Sequence, residues 1–132
     1  MAGIRVLIVD DVAQVRQDLR TILTLIGNIE VIGEAGNGLE AVHQVEILRP
    51  EVILMDLEMP VLDGYDAIRR IKKCFPSCRL VALTLYGYEA AREKAFRAGA
   101  DAFIVKGSPV DELVQAINAS QRFISDGGSP CP

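Results

Sequence analysis

Short apolar runs alternate with longer amphipathic segments along the chain. Runs rich in Val, Ile and Leu predict strands, and segments in which apolar residues recur every three or four positions predict helices. The predicted strands are residues 4–9, 29–35, 52–55, 79–83 and 102–105. The predicted helices are residues 13–26, 39–48, 65–75, 89–98 and 109–125. This strict alternation predicts an α/β domain in which helices cover both faces of a parallel sheet.

The first, third and fourth predicted strands are almost continuously apolar, which is typical of strands that are covered on both faces. Helix start signals agree with the predicted boundaries. Asp11 and Asn37 are predicted N-cap residues, because Gln14 and Glu40 stand three residues after them. Asp63 is the predicted N-cap of the third helix.

Composition places these 132 residues among globular proteins, since 50% are hydrophobic and 24% are charged. A net charge of −4 without a basic patch argues against direct nucleic-acid binding. The apolar runs are too short to cross a membrane, and an odd number of cysteines (three) is typical of a reducing compartment. A cytoplasmic protein is therefore predicted.

Residues 126–132, "DGGSPCP", are rich in Gly and Pro and predict a linker-like tail after a domain spanning 1–125.

Five polar residues stand where predicted strands end. Asp10 and Asp11 follow the first strand, Asp56 the third, Thr84 the fourth and Lys106 the fifth. Ligands of open α/β sheets bind outside the carboxyl ends of the strands, so these residues predict one polar site at that edge.

The residue types at this edge indicate phosphoryl chemistry. Three carboxylates suit a hard divalent cation such as Mg²⁺, which also accepts water and phosphate oxygens as ligands. A lysine and a threonine hydroxyl supply what the oxygens of a phosphoryl group need. A carboxylate held by cations is also a competent nucleophile, and its attack on phosphorus gives an aspartyl phosphate.

Four segments, "LIVDD", "ILMDLEMPVLDG", "LVALT" and "AFIVK", resemble the signature segments of response-regulator receiver domains, in their usual order. The resemblance covers about residues 4–125. It implies a flavodoxin-like, doubly wound (βα)5 sheet with strand order 2-1-3-4-5. It also implies Mg²⁺ as a cofactor and a phosphohistidine on a sensor histidine kinase as the phosphoryl donor.

The resemblance also implies roles for residues at the carboxyl ends of the predicted strands. Asp56 would be the phosphoacceptor, and Lys106 would bind the phosphoryl group. Asp10, Asp11 and Asp56 would hold Mg²⁺ together with the backbone carbonyl of Glu58.

The implied switch consists of Thr84, as the hydroxyl that reads the phosphoryl group, and Phe103, as the switch aromatic. It would change the surface around the fourth helix, the fifth strand and the fifth helix. This chain has Leu85 where Ala or Gly is common, and Phe103 where Tyr is common. Gly107 and Ser108 after the lysine are similar to receivers of the nitrate-regulator type, whose usual output is a helix-turn-helix domain. An output domain or partner protein beyond the C-terminus is therefore expected.

Two alternatives use other features. "GNGLEA" matches the G-x-G-x-x-A fingerprint of small dinucleotide- or flavin-binding α/β domains, and Asp56 lies twenty positions beyond Gly36. A turn capped by Asn37 explains these glycines without a ligand. A phosphatase that forms an aspartyl phosphate would need a second carboxylate as a general acid and base. Glu58 is the only candidate near Asp56 in the sequence. The preferred hypothesis is a receiver domain that accepts a phosphoryl group and slowly hydrolyses it, and that is not a metabolic enzyme.

Overall fold

A computed structural model describes residues 3–119, which form five parallel strands and five helices in strict alternation. The strands are β1 (Ile4–Val9), β2 (Ile29–Ala35), β3 (Val52–Asp56), β4 (Arg79–Thr84) and β5 (Ala102–Val105). The helices are α1 (Ala13–Ile26), α2 (Gly38–Leu48), α3 (Gly64–Cys74), α4 (Glu89–Ala98) and α5 (Val110–Asn118). The predicted boundaries agree to within one residue, except that the predicted end of α5 and the 126–132 tail lie outside the described residues.

The strand order is β2-β1-β3-β4-β5, which confirms the doubly wound, flavodoxin-like fold. This order explains the sequence pattern, because the three almost continuously apolar strands, β1, β3 and β4, are the central ones. The edge strands β2 and β5 are only partly buried. Among residues 3–119, every helix is too short or too polar to cross a membrane.

Alternate residues of the central strands point into two separate cores. Leu7, Ile53 and Leu80 pack on the face that α2, α3 and α4 cover. Their neighbours Ile8 and Leu54 pack on the opposite face, beneath α1 and α5. Full burial of each such side chain stabilises the fold by about 1.5–3 kcal/mol. The central strands are therefore a rigid support for the residues at their carboxyl ends.

Two of the three predicted N-caps are confirmed. Asn37 and Asp63 each accept a hydrogen bond from the backbone N–H three residues later. The prediction for Asp11 is wrong, because Val12 occupies the N-cap position of α1 and has no capping side chain. The Val12 N–H donates instead to Asp10 Oδ1, at 2.9 Å. Asp11 is left exposed beside the end of β1.

Val61, in the loop between β3 and α3, has a strained backbone. Its φ of 71° lies in the left-handed region, which β-branched residues rarely adopt. Its side chain is 76% exposed, so burial of that side chain contributes little to offset the strain. The conformation is imposed by the loop that leads from Asp56 into α3.

We expect Val61→Asn to raise the free energy of unfolding by about 1 kcal/mol, because Asn tolerates the left-handed conformation much better than Val. Urea unfolding measures this difference. Val61→Ile is the matched control and should bring no gain, since it keeps the branched side chain. An Asn variant no more stable than the wild type would show that Val61 is not strained.

Candidate functional site

The register of the sheet brings three carboxylates together. β1 and β3 are neighbours and end at the same level, so the residues that follow or close them lie side by side. Carboxylate oxygens of Asp10, Asp11 and Asp56 lie within 4.8 Å of one another. Asp10 and Asp56 are fully buried, whereas Asp11 is exposed. The predicted acidic cluster is therefore present, with one side open to solvent.

Lys106 reaches this cluster from the end of β5. Its Nζ lies 2.8 Å from Asp10 Oδ2 and 3.1 Å from Asp56 Oδ1. Asp56 Oδ1 also accepts a hydrogen bond from the backbone N–H of Glu58, at 3.3 Å. One ammonium group is thus shared between two buried carboxylates at the carboxyl ends of different strands.

Burial, neighbouring charges and hydrogen bonds shift the pKa values of Asp56 and Lys106. Burial and then the charge of Asp10 raise the pKa of Asp56 from its ordinary value of 3.8 to about 6, although Lys106 opposes the shift. Burial alone would lower the pKa of Lys106, but its hydrogen bonds to Asp10 and Asp56 outweigh this and raise that pKa. The pKa values of this carboxyl and of this lysine are therefore both raised.

The donor set fits a hard divalent cation. All three clustered side chains offer carboxylate oxygens, which Mg²⁺ prefers over nitrogen and sulfur. A cation would also favour the ionised form of Asp56, in opposition to burial. The hydrogen bond from the Glu58 N–H to Asp56 brings the Glu58 main chain beside the cluster. The role of its carbonyl as a metal ligand stays a prediction.

The loop after β3 folds tightly over the end of that strand. The Gly64 N–H donates to the carbonyl of Leu57, and a Cβ built on Gly64 would lie 2.3 Å from the Asp56 carbonyl oxygen. A side chain at position 64 would therefore push the loop away. This close approach holds Glu58 over the carboxyl end of the sheet.

Thr84 is buried at the end of β4, as predicted, and its hydroxyl bonds to the loop after β3 and to the loop after β4. Thr84 Oγ1 donates to Glu58 Oε2 at 2.7 Å and accepts from the Tyr86 N–H at 3.0 Å. The sequence analysis assigned a role to the Glu58 carbonyl and missed its side chain. No residue spacing indicates the direction in which a loop side chain turns.

Arg16 is a further residue that the sequence analysis missed. Its Nη1 donates to the carbonyl of Asp10 at 2.5 Å, and its Nε lies 2.9 Å from Glu34 Oε1. Burial alone would raise the pKa of Glu34, but hydrogen bonds from Arg20 and Arg16 lower it overall. Arg16 therefore fixes the turn that carries Asp10 and Asp11. A cation in the first turns of α1 and an acid near the end of β2 were the available signal.

Phe103 lies on β5 and is partly buried against the core beneath α2, α3 and α4. This position is compatible with plain packing and with movement, so its role as the switch aromatic stays a prediction.

The dinucleotide alternative is not supported. In the "GNGLEA" turn, the Gly36 N–H donates to the Glu40 side chain, and the Glu40 N–H donates to the Asn37 side chain. A Cβ on Gly38 would lie 2.0 Å from the carbonyl oxygen of Leu62, so close packing between loops explains this glycine. Two of the backbone donors of this turn are therefore satisfied without a phosphate.

Comparison with known proteins points to one family. The family model for the response regulator receiver domain matches residues 6–118. The chemotaxis protein CheY of Thermotoga maritima is 43% identical over 116 residues, which cover 88% of this chain and 96% of that protein. Several other curated relatives are longer, and the chain spans 52–59% of their length.

Solved structures show the same likeness. The signal receiver domain of a NarL response regulator from Mycobacterium tuberculosis has a TM-score of 0.85 and 26% identity, with 93% of this chain and 100% of that chain covered. This agrees with the predicted similarity to regulators of that type. A CheX-CheY-BeF3-Mg²⁺ complex from Borrelia burgdorferi matches with a TM-score of 0.85 and 26% identity, with 92% of each chain covered.

The raised pKa of Asp56 predicts a pH-dependent stability. Below pH 4 the carboxyl is protonated in the folded and the unfolded chain, and no difference arises. Between pH 4 and 6 the unfolded chain loses the proton first, so the metal-free folded state loses at most about 3 kcal/mol as pH rises. Asp56→Asn removes this loss. We expect the stability of the variant relative to wild type to increase from pH 4 to pH 7 in urea unfolding with chelator present.

Glu93→Gln, at an exposed position on α4, is the control and should give a difference from wild type that does not vary with pH. A pH-independent difference for Asp56→Asn as well would contradict the raised pKa.

Proposed function

The chain belongs to the response regulator receiver domain family, and we propose that Asp56 is its phosphoacceptor. Receiver domains are signalling domains of two-component systems. The observation that carries the proposal is the position of the Asp56 carboxylate, which is buried at a strand end between Asp10 and the ammonium group of Lys106. The same arrangement explains why a carboxylate, a poor nucleophile in isolation, reacts here.

In the proposed reaction, an Asp56 carboxylate oxygen attacks the phosphorus of a phosphohistidine. An O–P bond forms as the P–N bond breaks, and the imidazole leaves with the bonding electron pair. Lys106 lies within hydrogen-bonding distance of Asp56, so its Nζ can move with little displacement onto an oxygen of the transferred group. Slow hydrolysis of the aspartyl phosphate returns the protein to its starting state.

Asp10, Asp11 and Asp56 would hold Mg²⁺, with the Glu58 carbonyl as a further ligand. When bound, Mg²⁺ supplies positive charge that offsets the negative charge of the carboxylates and the phosphoryl oxygens. Support comes from the oxygen-only donor set of this cluster. The similar CheY complex with BeF3 and Mg²⁺ supports it further.

The phosphoryl group would act on the surface through Thr84. It adds negative charge and strong acceptor oxygens within reach of Thr84 and Lys106. Movement of the Thr84 hydroxyl inward would vacate space beside β4 for Phe103, which lies on the adjacent strand. α4 is attached to the core mainly by small side chains, Ala95 and Ala98. We therefore place the changing surface around α4, β5 and α5.

The donor in this proposal is a sensor histidine kinase, in the cytoplasm. The catalytic activity of the domain is limited to self-phosphorylation from a phosphodonor and slow autodephosphorylation. An output domain or a partner protein would receive the signal; the chain spans little more than half of several longer relatives and 96% of the Thermotoga maritima CheY. The acidic domain itself would not bind nucleic acid.

Labelling tests the phosphoacceptor. Incubation with Mg²⁺ and a small phosphoramidate should add one phosphoryl group that is labile to hydroxylamine, because an acyl phosphate reacts with that nucleophile. Asp56→Asn should abolish the adduct, and a chelator should suppress it in the wild type. Intact-protein mass spectrometry measures each result.

The matched control is Asp66→Asn, at an exposed carboxylate on α3, which should be labelled like the wild type. Unchanged labelling of Asp56→Asn would refute the assignment of Asp56.

A further inference from the structure

We propose that the carboxylate of Glu58 is a latch that holds the Thr84 hydroxyl away from the phosphoryl site in the unphosphorylated protein. This inference rests on the proposed function of Asp56. It assigns to the Glu58 side chain a role distinct from that of its backbone carbonyl.

The hydrogen-bond geometry at Thr84 is the starting point. Thr84 Oγ1 donates to Glu58 Oε2 at 2.7 Å, and the hydroxyl has a single proton to donate. While that bond exists, Thr84 cannot donate to a phosphoryl oxygen on Asp56. Thr84 is fully buried, so its side chain moves between discrete rotamers and does not drift. Switching therefore requires that the bond to Glu58 break.

Glu58 contacts both partners of the switch. Its backbone N–H donates to Asp56 Oδ1 at 3.3 Å, and its side chain accepts from Thr84. A phosphoryl group on Asp56 would add negative charge close to the Glu58 carboxylate. The two like charges repel each other, so phosphorylation weakens the latch as it offers Thr84 a new acceptor. Glu58 is exposed and can turn into water without stranding a buried charge.

The latch also connects two loops. The Tyr86 N–H donates to the same Thr84 oxygen at 3.0 Å, and Tyr86 lies in the loop between β4 and α4. Glu58, Thr84 and Tyr86 therefore form a chain of hydrogen bonds from the loop after β3 to the loop before α4. Release of the first bond leaves the hydroxyl proton with only a longer bond to the Tyr86 carbonyl, at 3.4 Å, in the same loop.

A double-mutant cycle on the affinity for beryllofluoride with Mg²⁺ tests the latch. An acceptor that stabilises the unphosphorylated state weakens apparent binding of the phosphoryl mimic. Loss of one partly exposed hydrogen bond to a carboxylate corresponds to a factor of about five in affinity. We expect Glu58→Ala to tighten binding about fivefold when Thr84 is present and less than about twofold in a Thr84→Ala background. Calorimetry gives each Kd.

Glu58→Gln separates charge from hydrogen bonding, since Gln keeps a side-chain oxygen acceptor and loses the charge. We expect it to tighten binding less than Glu58→Ala does. Thr84→Val, which keeps the side-chain shape, replaces Thr84→Ala if that variant does not fold. The rotamer of Thr84 in the unphosphorylated protein, measured by NMR scalar couplings, should change in Glu58→Ala and persist in Glu58→Gln.

Equal gains from Glu58→Ala in the two Thr84 backgrounds would overturn the latch, because they would show that charge repulsion alone is relieved. An unchanged Thr84 rotamer in Glu58→Ala would also overturn it. If the wild type bound no beryllofluoride, the proposed function would fail and the latch with it. If the wild type bound beryllofluoride normally and Glu58→Ala tightened binding equally in both Thr84 backgrounds, the latch would be refuted and the proposed function would stand.

Discussion

One ammonium group between two buried carboxylates is the interaction on which the polar edge of this sheet depends. Lys106 pairs with Asp10 and Asp56, which lie at the carboxyl ends of β1 and β3. Removal of Lys106 would leave two buried carboxylates without their counter-charge, and breaking a buried pair in this way typically costs about 3–5 kcal/mol. With Asp11 counted, three carboxylates still share a single lysine. Burial and then the charge of Asp10 raise the pKa of Asp56. The deficit of positive charge explains the fit of the site to a divalent cation.

The loop after β3 connects this charge cluster to the rest of the domain. Gly64 allows the loop to lie against the end of β3, and Glu58 then contacts Asp56 through its main chain and Thr84 through its side chain. In the proposed function, stability and signalling therefore use the same few groups. In that proposal, an added charge on Asp56 would change the partners of Lys106, which follows β5, and would act on Glu58, which contacts Thr84 at the end of β4.

Sequence periodicity predicted the elements well because burial on both faces leaves a direct mark on β1, β3 and β4. The clustering of Asp10, Asp56 and Lys106 was predictable because parallel strands present their carboxyl ends at one edge. The strand order came from family resemblance, since alternation alone permits several orders. The cap at Asp11 failed because the adjacent Asp10 bonds to the Val12 N–H. The partner of the Thr84 hydroxyl depends on loop and side-chain geometry, which residue spacing does not encode.

The central claim of this account is that a charge added at Asp56 changes the conformation of the surface through Thr84. Amide hydrogen exchange across residues 85–105, measured with and without beryllofluoride and Mg²⁺, tests it most directly. In the wild type, the mimic should change exchange in α4 and β5. In Thr84→Ala the mimic should still bind to Asp56, but exchange in that region should stay as in the free protein. Equal changes in the wild type and in Thr84→Ala would contradict the account.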